Sequence, residues 1–575
     1  MGTVLKNKYW PVILLALIIC FHLVNNYIWS AGNNVIIGVD VSNHLYFQLK
    51  FHNLFKGIIS NSADTLWQKA GELFRLFRAP MPFPGCIYWP NFVYFFSSLF
   101  TLAFGAALLT VRMSGFVYLA VIFLSIYAIG KKMEGRAVGV LAALFVSMYP
   151  LIFESSRQYS LDLPLTAIVC LACLFLLRAE RFTNLKYSLL LGLAAGIGML
   201  IKGQFLIFMA APLTAALGGY FFAGSRRGIN KIILRNIGAS LILAVLISCL
   251  WWAGKIDNVL RSFPRHISAP EKFLEVMDQV GRARSLEYYL YNIKALFFDS
   301  LGIVFGVIFL LSLVFFIRSK ARYLGFILSW LLIPVILFSI VFVVKHERFL
   351  MPILPAIALV SAWGAHKLIG VRARLIIIPL LVIFSLAQYY ALSYFNYRRN
   401  AGLAPKIILS ACGSSSYGIR PDMVDQRFDR EKPYLINKAV KMIRGPRVDK
   451  GVCKVGTAMI AGNITPGEAR YWMYYFDPGI YARDWLEQGD MFYPELTDFN
   501  YMIISANRAD GVTWPRGREF LDLAVRNRAM SPQMAGSFPF WEDNFNAFVR
   551  AEKDFELATV LDLNPGISWY IYKRK

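Results

Sequence analysis

Residues 187–223 read YSLLLGLAAGIGMLIKGQFLIFMAAPLTAALGGYFFA. Lys202 is the only charged residue of this stretch, and it separates two apolar runs, 187–201 and 204–223. A helix of about 20 apolar residues is long enough to cross a lipid bilayer. The stretch therefore predicts two membrane helices that form a tight hairpin at Lys202 and Gly203.

Apolar runs of this kind continue in both directions through the first two thirds of the chain. Together with the hairpin they number eleven: 10–29, 114–130, 137–153, 163–178, 187–201, 204–223, 236–253, 295–317, 323–344, 348–366 and 375–395. Of the 575 residues, 57% are hydrophobic, against roughly 45–50% in soluble domains. This composition excludes a disordered or collagen-like chain and disfavours a purely soluble enzyme. It predicts a mainly α, polytopic membrane protein with about eleven transmembrane helices.

The net charge of +25 is concentrated in residues 1–395, which contain 35 basic and 14 acidic residues. If the N-terminus is cytoplasmic, 18 of these basic residues lie in cytoplasmic segments beside only Glu134 and Glu180, as the positive-inside rule expects. The charge excess therefore indicates topology in a cytoplasmic (inner) membrane. It disfavours a nucleic-acid partner, because no single basic domain carries it.

Three segments need separate interpretation. Residues 90–109 are apolar, but the alternation of basic loops leaves no crossing for them, so we expect an interfacial or half-inserted helix. The run 10–29 could be a signal peptide, but no small-residue cleavage site follows before Asp40, which favours a retained helix. Residues 396–575 mix helical and strand-like patterns and predict an extracytoplasmic α/β domain, in which Cys412 and Cys453 could pair.

The first candidate site residue is Asp40, about ten residues beyond the first apolar run. It could cap the helix that follows, or its carboxylate could act as a general base. His44 lies four residues further on. If the helix begins at or before Asp40, both side chains share one face and could position an acceptor or bind a divalent metal ion.

The second candidate is the polar loop 154–162, which contains Arg157 and Asp162 between two apolar runs. Asp162 could be catalytic, and Arg157 could bind a phosphate. The alternative is a solvated loop in which Asp162 caps the helix that contains Pro164.

Two further groups of charged residues lie at membrane edges. Lys202 could extend to the interface or neutralise an anionic ligand. Residues 345–348, Lys-His-Glu-Arg, could be ordinary interfacial anchors; alternatively, His346 and Glu347 could contact an acceptor or a metal ion, and Arg348 a phosphate. Ionisable groups at such positions are candidates for function because burying them near lipid is costly.

The order of these motifs resembles that of the GT-C membrane glycosyltransferases of family 39 type. That family includes protein O-mannosyltransferases and the bacterial aminoarabinose transferase that modifies lipid A. The resemblance covers roughly residues 10–370. It rests on Asp40 after the first helix, the segment Pro90–Tyr94, and six later motifs, which are Val111-Arg112-Met113-Ser114-Gly115, Gly130–Arg136, Ser156-Arg157…Asp162, Gly192–Gly196, Lys202-Gly203 and Arg348–Pro355.

The resemblance implies a polyprenyl-phosphate-sugar donor and a non-cytoplasmic active site with Asp40 as the base or beside it. It also implies that Asp162 is the acidic residue of the second external loop, and that Lys202, Arg157 and Arg348 contact the donor phosphate. The mannosyltransferases have an Asp-Glu pair where this chain has Asp40-Val41, so the case for a metal is open. The acceptor, whether lipid, protein or glycan, is open too.

Two other functions are compatible with the sequence. A transporter or lipid flippase usually places charged groups near the middle of the bilayer, whereas the predicted helix interiors here are almost free of charge. A glycan polymerase or ligase would use a related lipid-linked substrate.

We expect the protein to be an inverting glycosyltransferase. We expect a transmembrane catalytic domain at residues 1–395 and an extracytoplasmic domain at residues 396–575.

Overall fold

The fold is described from a computed structural model. The described residues are 9–34, 36, 38–78, 89–221, 231–253, 255, 285–342, 345–394, 426–444, 453–459, 466–477, 480–484, 500–507, 554–564 and 567–575. They divide into two compact units. The first comprises residues 1–31, 51–269 and 284–421, and the second comprises 32–50, 270–283 and 422–575.

Among its described residues, the first unit has helices as its regular secondary structure and no strands. Its helices, with α2 shared between the units, are α1 Trp10–Gly32, α2 Gly38–Ser60, α3 Leu66–Arg78, α4 Phe92–Phe104, α5 Leu108–Glu134, α6 Arg136–Met148, α7 Pro150–Ser155, α8 Asp162–Arg178, α9 Leu185–Ile201, α10 Phe205–Phe221, α11 Lys231–Trp252, α12 Leu286–Ala295, α13 Ile303–Arg318, α14 Leu324–Ile336, α15 Leu354–Leu368 and α16 Val371–Tyr394. Two π-helical turns, Leu296–Leu301 and Leu337–Val341, and the 3₁₀ segment Glu347–Ile353 connect some of them.

In its described residues, each of the eleven predicted apolar runs is mainly helical, and the predicted fold class is confirmed. Among the described residues, six helices are long and apolar enough to cross a membrane, or seven if one bent pair counts as a span. The bent pair is Leu286–Leu301 with Ile303–Arg318, at an angle of 116°. Several remaining runs form shorter helices, so eleven crossings remain a prediction.

Two local predictions can be compared with the helix boundaries. The pair α9 and α10 is interrupted at Lys202 and Gly203, as the sequence predicted. Helix α4 has 13 residues, or about 20 Å at 1.5 Å per residue, which is too short for a bilayer core of about 30 Å. This length agrees with a half-inserted or interfacial helix at 90–109.

Small residues allow the closest approach between membrane helices. Gly192 and Gly196 on α9 both face α11, and a Cβ atom on Gly196 would lie 2.5 Å from Cβ of Ile247. A Cβ atom on Gly192 would meet the backbone of Ser240. This spacing of four residues is the small-xxx-small pattern of packed membrane helices. The packing fixes the end of α9, where Lys202 follows.

The second unit contains a five-stranded mixed sheet. Its strands are β1 Cys453–Met459, β2 Ile480–Asp484, β3 Tyr501–Asn507, β4 Phe555–Asn564 and β5 Ile567–Arg574, in the order β2-β1-β3-β5-β4. Strand β1 is parallel to β2 and β3, whereas β5 is antiparallel to β3 and β4. Helices α17 Gln426–Arg444 and α18 Pro466–Phe476 belong to the same unit.

The α/β character predicted for the C-terminal region is therefore confirmed. The predicted boundary at 395/396 lies outside the described residues, as does Cys412, so the domain limits and the Cys412–Cys453 pair remain predictions. The unit differs from the predicted domain in its bounds: its C-terminal part begins at 422, and it also includes residues 270–283 and residues 32–50, which contain Asp40 and His44.

We expect the substitution Gly192→Val to lower the free energy of unfolding by about 1–3 kcal/mol, because the new side chain would overlap the backbone of α11. Thermal unfolding of the purified protein in detergent measures the change. Gly238→Val on α11 is the matched control, since a Cβ atom there meets nothing within 4 Å. Equal melting temperatures for the two variants would contradict this packing.

Candidate active site

The loop between α7 and α8 is buried along its whole length. Every residue from Glu154 to Asp162 has an exposed fraction of 5% or less. The alternative of a solvated loop is therefore wrong. The short helix α7, which Pro150 starts, precedes the loop, and α8 follows it from Asp162. A buried loop of this kind must satisfy its polar groups from within the protein.

The carboxylate of Asp162 lies between two cations. Its Oδ1 atom accepts a hydrogen bond of 2.7 Å from Nζ of Lys202, and its Oδ2 atom lies 3.8 Å from Nε of Arg348. The three side chains are 5%, 17% and 15% exposed. Residue Leu161, not Asp162, occupies the cap position of α8, and no side chain caps the helix there. The capping role considered for Asp162 is therefore wrong, and the carboxylate serves an ion pair.

A phenylalanine ring supports both cations from one side. Nζ of Lys202 lies 5.1 Å from the ring centroid of Phe349, and Cζ of Arg348 lies 5.4 Å from it. A cation over an aromatic face is stabilised by the quadrupole of the ring. Phe349 thus adds to Asp162 in fixing the two cations, and sequence patterns do not distinguish it from an ordinary core residue.

The 3₁₀ segment Glu347–Ile353 brings Arg348 to this cluster. Its backbone is anchored by Nε1 of Trp330, which donates to the Pro352 carbonyl at 3.0 Å. Immediately before it, Nζ of Lys345 donates to the carbonyls of Phe338, Ser339 and Phe342 at 2.7–2.8 Å. Burial lowers the pKa of Lys345 to about 8. These bonds fix the segment at both ends.

A second group of contacts involves His346 and Glu347, the two predicted residues that directly precede Arg348. Nδ1 of His346 lies 3.2 Å from Oε2 of Glu347, and His346 also interacts electrostatically with Asp162. The buried carboxylate of Glu347 is hydrogen-bonded by the hydroxyl of Tyr291 on α12. Sequence reasoning missed Tyr291, because its neighbours Tyr288 and Tyr289 look the same in the sequence.

Arg157 has a different set of contacts. Its guanidinium lies 4.9–5.4 Å from the ring centroids of Trp29, Phe153 and Tyr389, and its Nε donates to Oδ1 of Asn26 at 3.1 Å. The structure therefore brings Asp162, Lys202 and Arg348 together, with His346 and Glu347 directly before Arg348 in the chain, and surrounds Arg157 with aromatic rings.

A second buried arginine adjoins this group. Arg112, at the start of α5, is 2% exposed, and its guanidinium lies 5.4 Å from the Trp29 ring on which Arg157 also lies. In the sequence, Arg112 stands out only as part of a motif of the family resemblance. Its charge at the end of an apolar helix was the signal that could have identified it.

Asp40 and His44 belong to the second unit. Helix α2 begins at Gly38, so Asp40 lies in its first turn and the condition for a shared face with His44 is met. Asp40 is half-buried, and His44 is 5% exposed.

A metal site does not fit the residues that the structure describes. Within the described ranges, no three His, Cys, Asp or Glu side chains lie close enough together to bind a metal ion. Asp40 and His44 supply at most two ligands, fewer than a protein-bound divalent ion generally needs. We therefore assign no chemical step to a metal.

We expect Asn26→Leu and Arg157→Met to be energetically coupled by about 0.5–3 kcal/mol, because each removes the partner of the other in a buried hydrogen bond. A double-mutant cycle on thermal or denaturant unfolding measures the coupling. Asn25→Leu is the matched control, since the Asn25 side chain bonds to Phe21 and Tyr394 instead. Additive effects for both asparagines would contradict the assigned bond.

Part of the chain is similar in sequence to known proteins. Residues 89–252 match the model of the dolichyl-phosphate-mannose-protein mannosyltransferase family. This match covers less than half of the chain, but it contains Arg157, Asp162 and Lys202. An uncharacterised protein of Aquifex aeolicus (strain VF5) is 26% identical over 241 residues. The alignment spans 41% of this chain and 44% of that relative, so the chain covers less than half of the relative's length.

Three solved structures are similar over most of this chain. ArnT from Cupriavidus metallidurans bound to undecaprenyl phosphate has a TM-score of 0.57 at 10% identity and 98% coverage of both chains. AglB from Archaeoglobus fulgidus, in complex with an inhibitory peptide and a dolichol-phosphate, has a TM-score of 0.50 at 12% identity, covering 92% of this chain and 72% of AglB. The arabinofuranosyltransferase AftD from Mycobacteria also has a TM-score of 0.50, at 10% identity, covering 99% of this chain and 40% of AftD.

These likenesses establish the fold, and they confirm the resemblance inferred from the sequence. The chain therefore has the GT-C fold, and six helices among its described residues are long and apolar enough to cross a membrane.

Proposed function

We propose that the protein is an inverting glycosyltransferase that moves a sugar from a polyprenyl-phosphate carrier to a lipid, protein or glycan acceptor. The reaction would take place at the outer face of the cytoplasmic membrane. The observation that supports this proposal most directly is the buried carboxylate of Asp162 between Lys202 and Arg348. The match of residues 89–252 to the mannosyltransferase family supports the same reaction class.

The charges of this cluster suit a phosphodiester. Lys202 and Arg348 carry two positive charges and Asp162 one negative charge, which leaves a net charge of +1 for these three side chains. A sugar joined to a polyprenyl phosphate has one negative charge on its phosphate. The two cations can therefore stabilise the phosphate as it leaves, and Asp162 keeps them in place before the donor binds.

The structures of relatives support a lipid-linked donor. ArnT was crystallised with undecaprenyl phosphate, and AglB was solved in complex with an inhibitory peptide and a dolichol-phosphate. By analogy, the donor of this chain would be a polyprenyl-phosphate sugar whose tail lies among the apolar helices. The sugar is open, and so is the acceptor.

The proposed reaction is a single displacement. The acceptor hydroxyl attacks the anomeric carbon while the bond from that carbon to the phosphate oxygen breaks. The bonding electron pair leaves with the polyprenyl phosphate. The hydroxyl proton passes to the carboxylate of Asp40, the predicted general base, with His44 on the same helix face positioning the acceptor. Asp162, paired with two cations, suits the role of positioning them better than that of a base.

We expect Lys202→Met and Arg348→Met each to lower kcat/KM for sugar transfer by about 10²- to 10³-fold, because each removes a cation from the leaving phosphate. Transfer of a labelled sugar from a polyprenyl-phosphate donor, in liposomes that contain the full-length protein, measures the loss. Lys56→Met, an exposed lysine on α2, is the control. Full activity of both variants would refute the phosphate assignment. Wild-type protein that moves the intact donor between leaflets without breaking its sugar bond would indicate a flippase instead.

We expect Asp40→Asn to lower kcat by about 10²- to 10⁴-fold while leaving the affinity for the donor unchanged, because the amide cannot accept the acceptor proton. Single-turnover transfer and equilibrium donor binding measure the two effects separately. Asp64→Asn, in the exposed turn after α2, is the matched control. An Asp40→Asn variant with the wild-type kcat would show that the base lies elsewhere.

A further inference from the structure

Glu347 and Arg348 are consecutive residues with different partners. Arg348 pairs with Asp162 at the start of α8, whereas Glu347 is hydrogen-bonded by Tyr291 of α12. Successive side chains of a 3₁₀ helix point about 120° apart, so one short segment serves two sites. The carboxylate of Glu347 therefore lies beside the cation cluster without taking part in it.

The surroundings of Glu347 combine carboxylate, hydroxyl and aromatic groups. Glu347 is 5% exposed, whereas Tyr291 is 38% exposed, so the pair has one buried and one accessible member. Asp299, half-buried in the π-helical turn after α12, interacts electrostatically with Tyr291. One turn before Tyr291, the ring of Tyr288 lies 4.6 Å from Nζ of Lys345. The face of α12 that bears Tyr288 and Tyr291 thus lies along residues 345–347.

We propose that Glu347 and Tyr291 bind the hydroxyl groups of the donor's sugar and determine which sugar is accepted. This inference rests on the proposed function, because it takes Lys202 and Arg348 as the phosphate site. The sugar is bonded directly to that phosphate, so the groups next to Arg348 are the ones that it meets first. The inference assigns Glu347 to the donor and not to the acceptor or a metal ion.

The chemistry of the pair matches that of a sugar ring. A carboxylate has several lone-pair positions and can accept hydrogen bonds from two hydroxyl groups besides its protein partners. The phenol of Tyr291 can donate to a sugar oxygen, and its ring can pack against sugar C–H groups. A site that bonds a hydroxyl group of the preferred sugar discriminates against a sugar that lacks it, since the hydrogen bonds to that hydroxyl group are then lost.

The test compares two probes on the full-length protein in detergent or nanodiscs. One is undecaprenyl phosphate, which has no sugar, and the other is a panel of undecaprenyl-phosphate-linked pentoses and hexoses. We expect Glu347→Gln and Tyr291→Phe to weaken binding of the preferred sugar-bearing lipid about 10- to 100-fold. Binding of undecaprenyl phosphate should stay within about twofold of wild type. Glu287→Gln and Tyr289→Phe, exposed residues of the same helix, are the matched controls.

The possible outcomes separate this inference from the proposed function. Equal weakening of both lipids, or unchanged selectivity with only a lower melting temperature, would overturn the sugar assignment and make Glu347 a structural residue. A wild-type protein that binds undecaprenyl phosphate but shows no preference among the panel would overturn it as well. A wild-type protein that binds no lipid of either kind would refute the proposed function itself. A changed order of preference among sugars in Glu347→Gln would support the inference directly.

Discussion

A carboxylate buried among apolar helices requires positive partners, and Asp162 has two. Removing one partner of a buried ion pair costs about 3–5 kcal/mol, because the remaining charge is then unpaired in a poorly polar environment. The ion pairs of Lys202 and Arg348 with Asp162 therefore join the start of α8, the break between α9 and α10, and the 3₁₀ segment before α15. Three parts of the chain that are far apart in sequence depend on these two contacts.

The surrounding structure explains how the cations reach this position. Gly192 and Gly196 let α9 pack closely on α11, and α9 ends at Ile201. Lys202 then leaves the helix in an extended conformation, with φ of −160° and ψ of 131°. On the other side, Lys345 and Trp330 anchor the segment that bears Arg348. Helix packing and backbone anchoring thus fix the cations before any ligand binds.

The membrane fold was largely predictable from the sequence, because apolar length alone identifies membrane helices. The break at Lys202 was predictable for the same reason, since a charge interrupts the apolar pattern there. The burial of the loop 154–162 was not, because its polar residues look like those of a solvated loop. Its partners are distant in sequence: Asn26, for instance, lies 130 residues before Ser156, to which it donates a hydrogen bond of 2.6 Å. Local patterns contain no information on such pairs.

Arg157 and Lys202 look alike in the sequence, but their surroundings in the structure differ. Both are lone cations beside apolar runs, and the family resemblance assigned both to the donor phosphate. Lys202 faces a carboxylate, and the pair with Arg348 leaves a net positive charge that can attract an anion. Arg157 instead lies among three aromatic rings and one amide, and its charge is stabilised by ring faces. An aromatic environment binds a guanidinium without neutralising it, so this charge still contributes to the potential around the buried loop. Under the proposed function, Lys202 and Arg348 would therefore contact the donor phosphate, whereas Arg157 would favour an anionic donor through its charge.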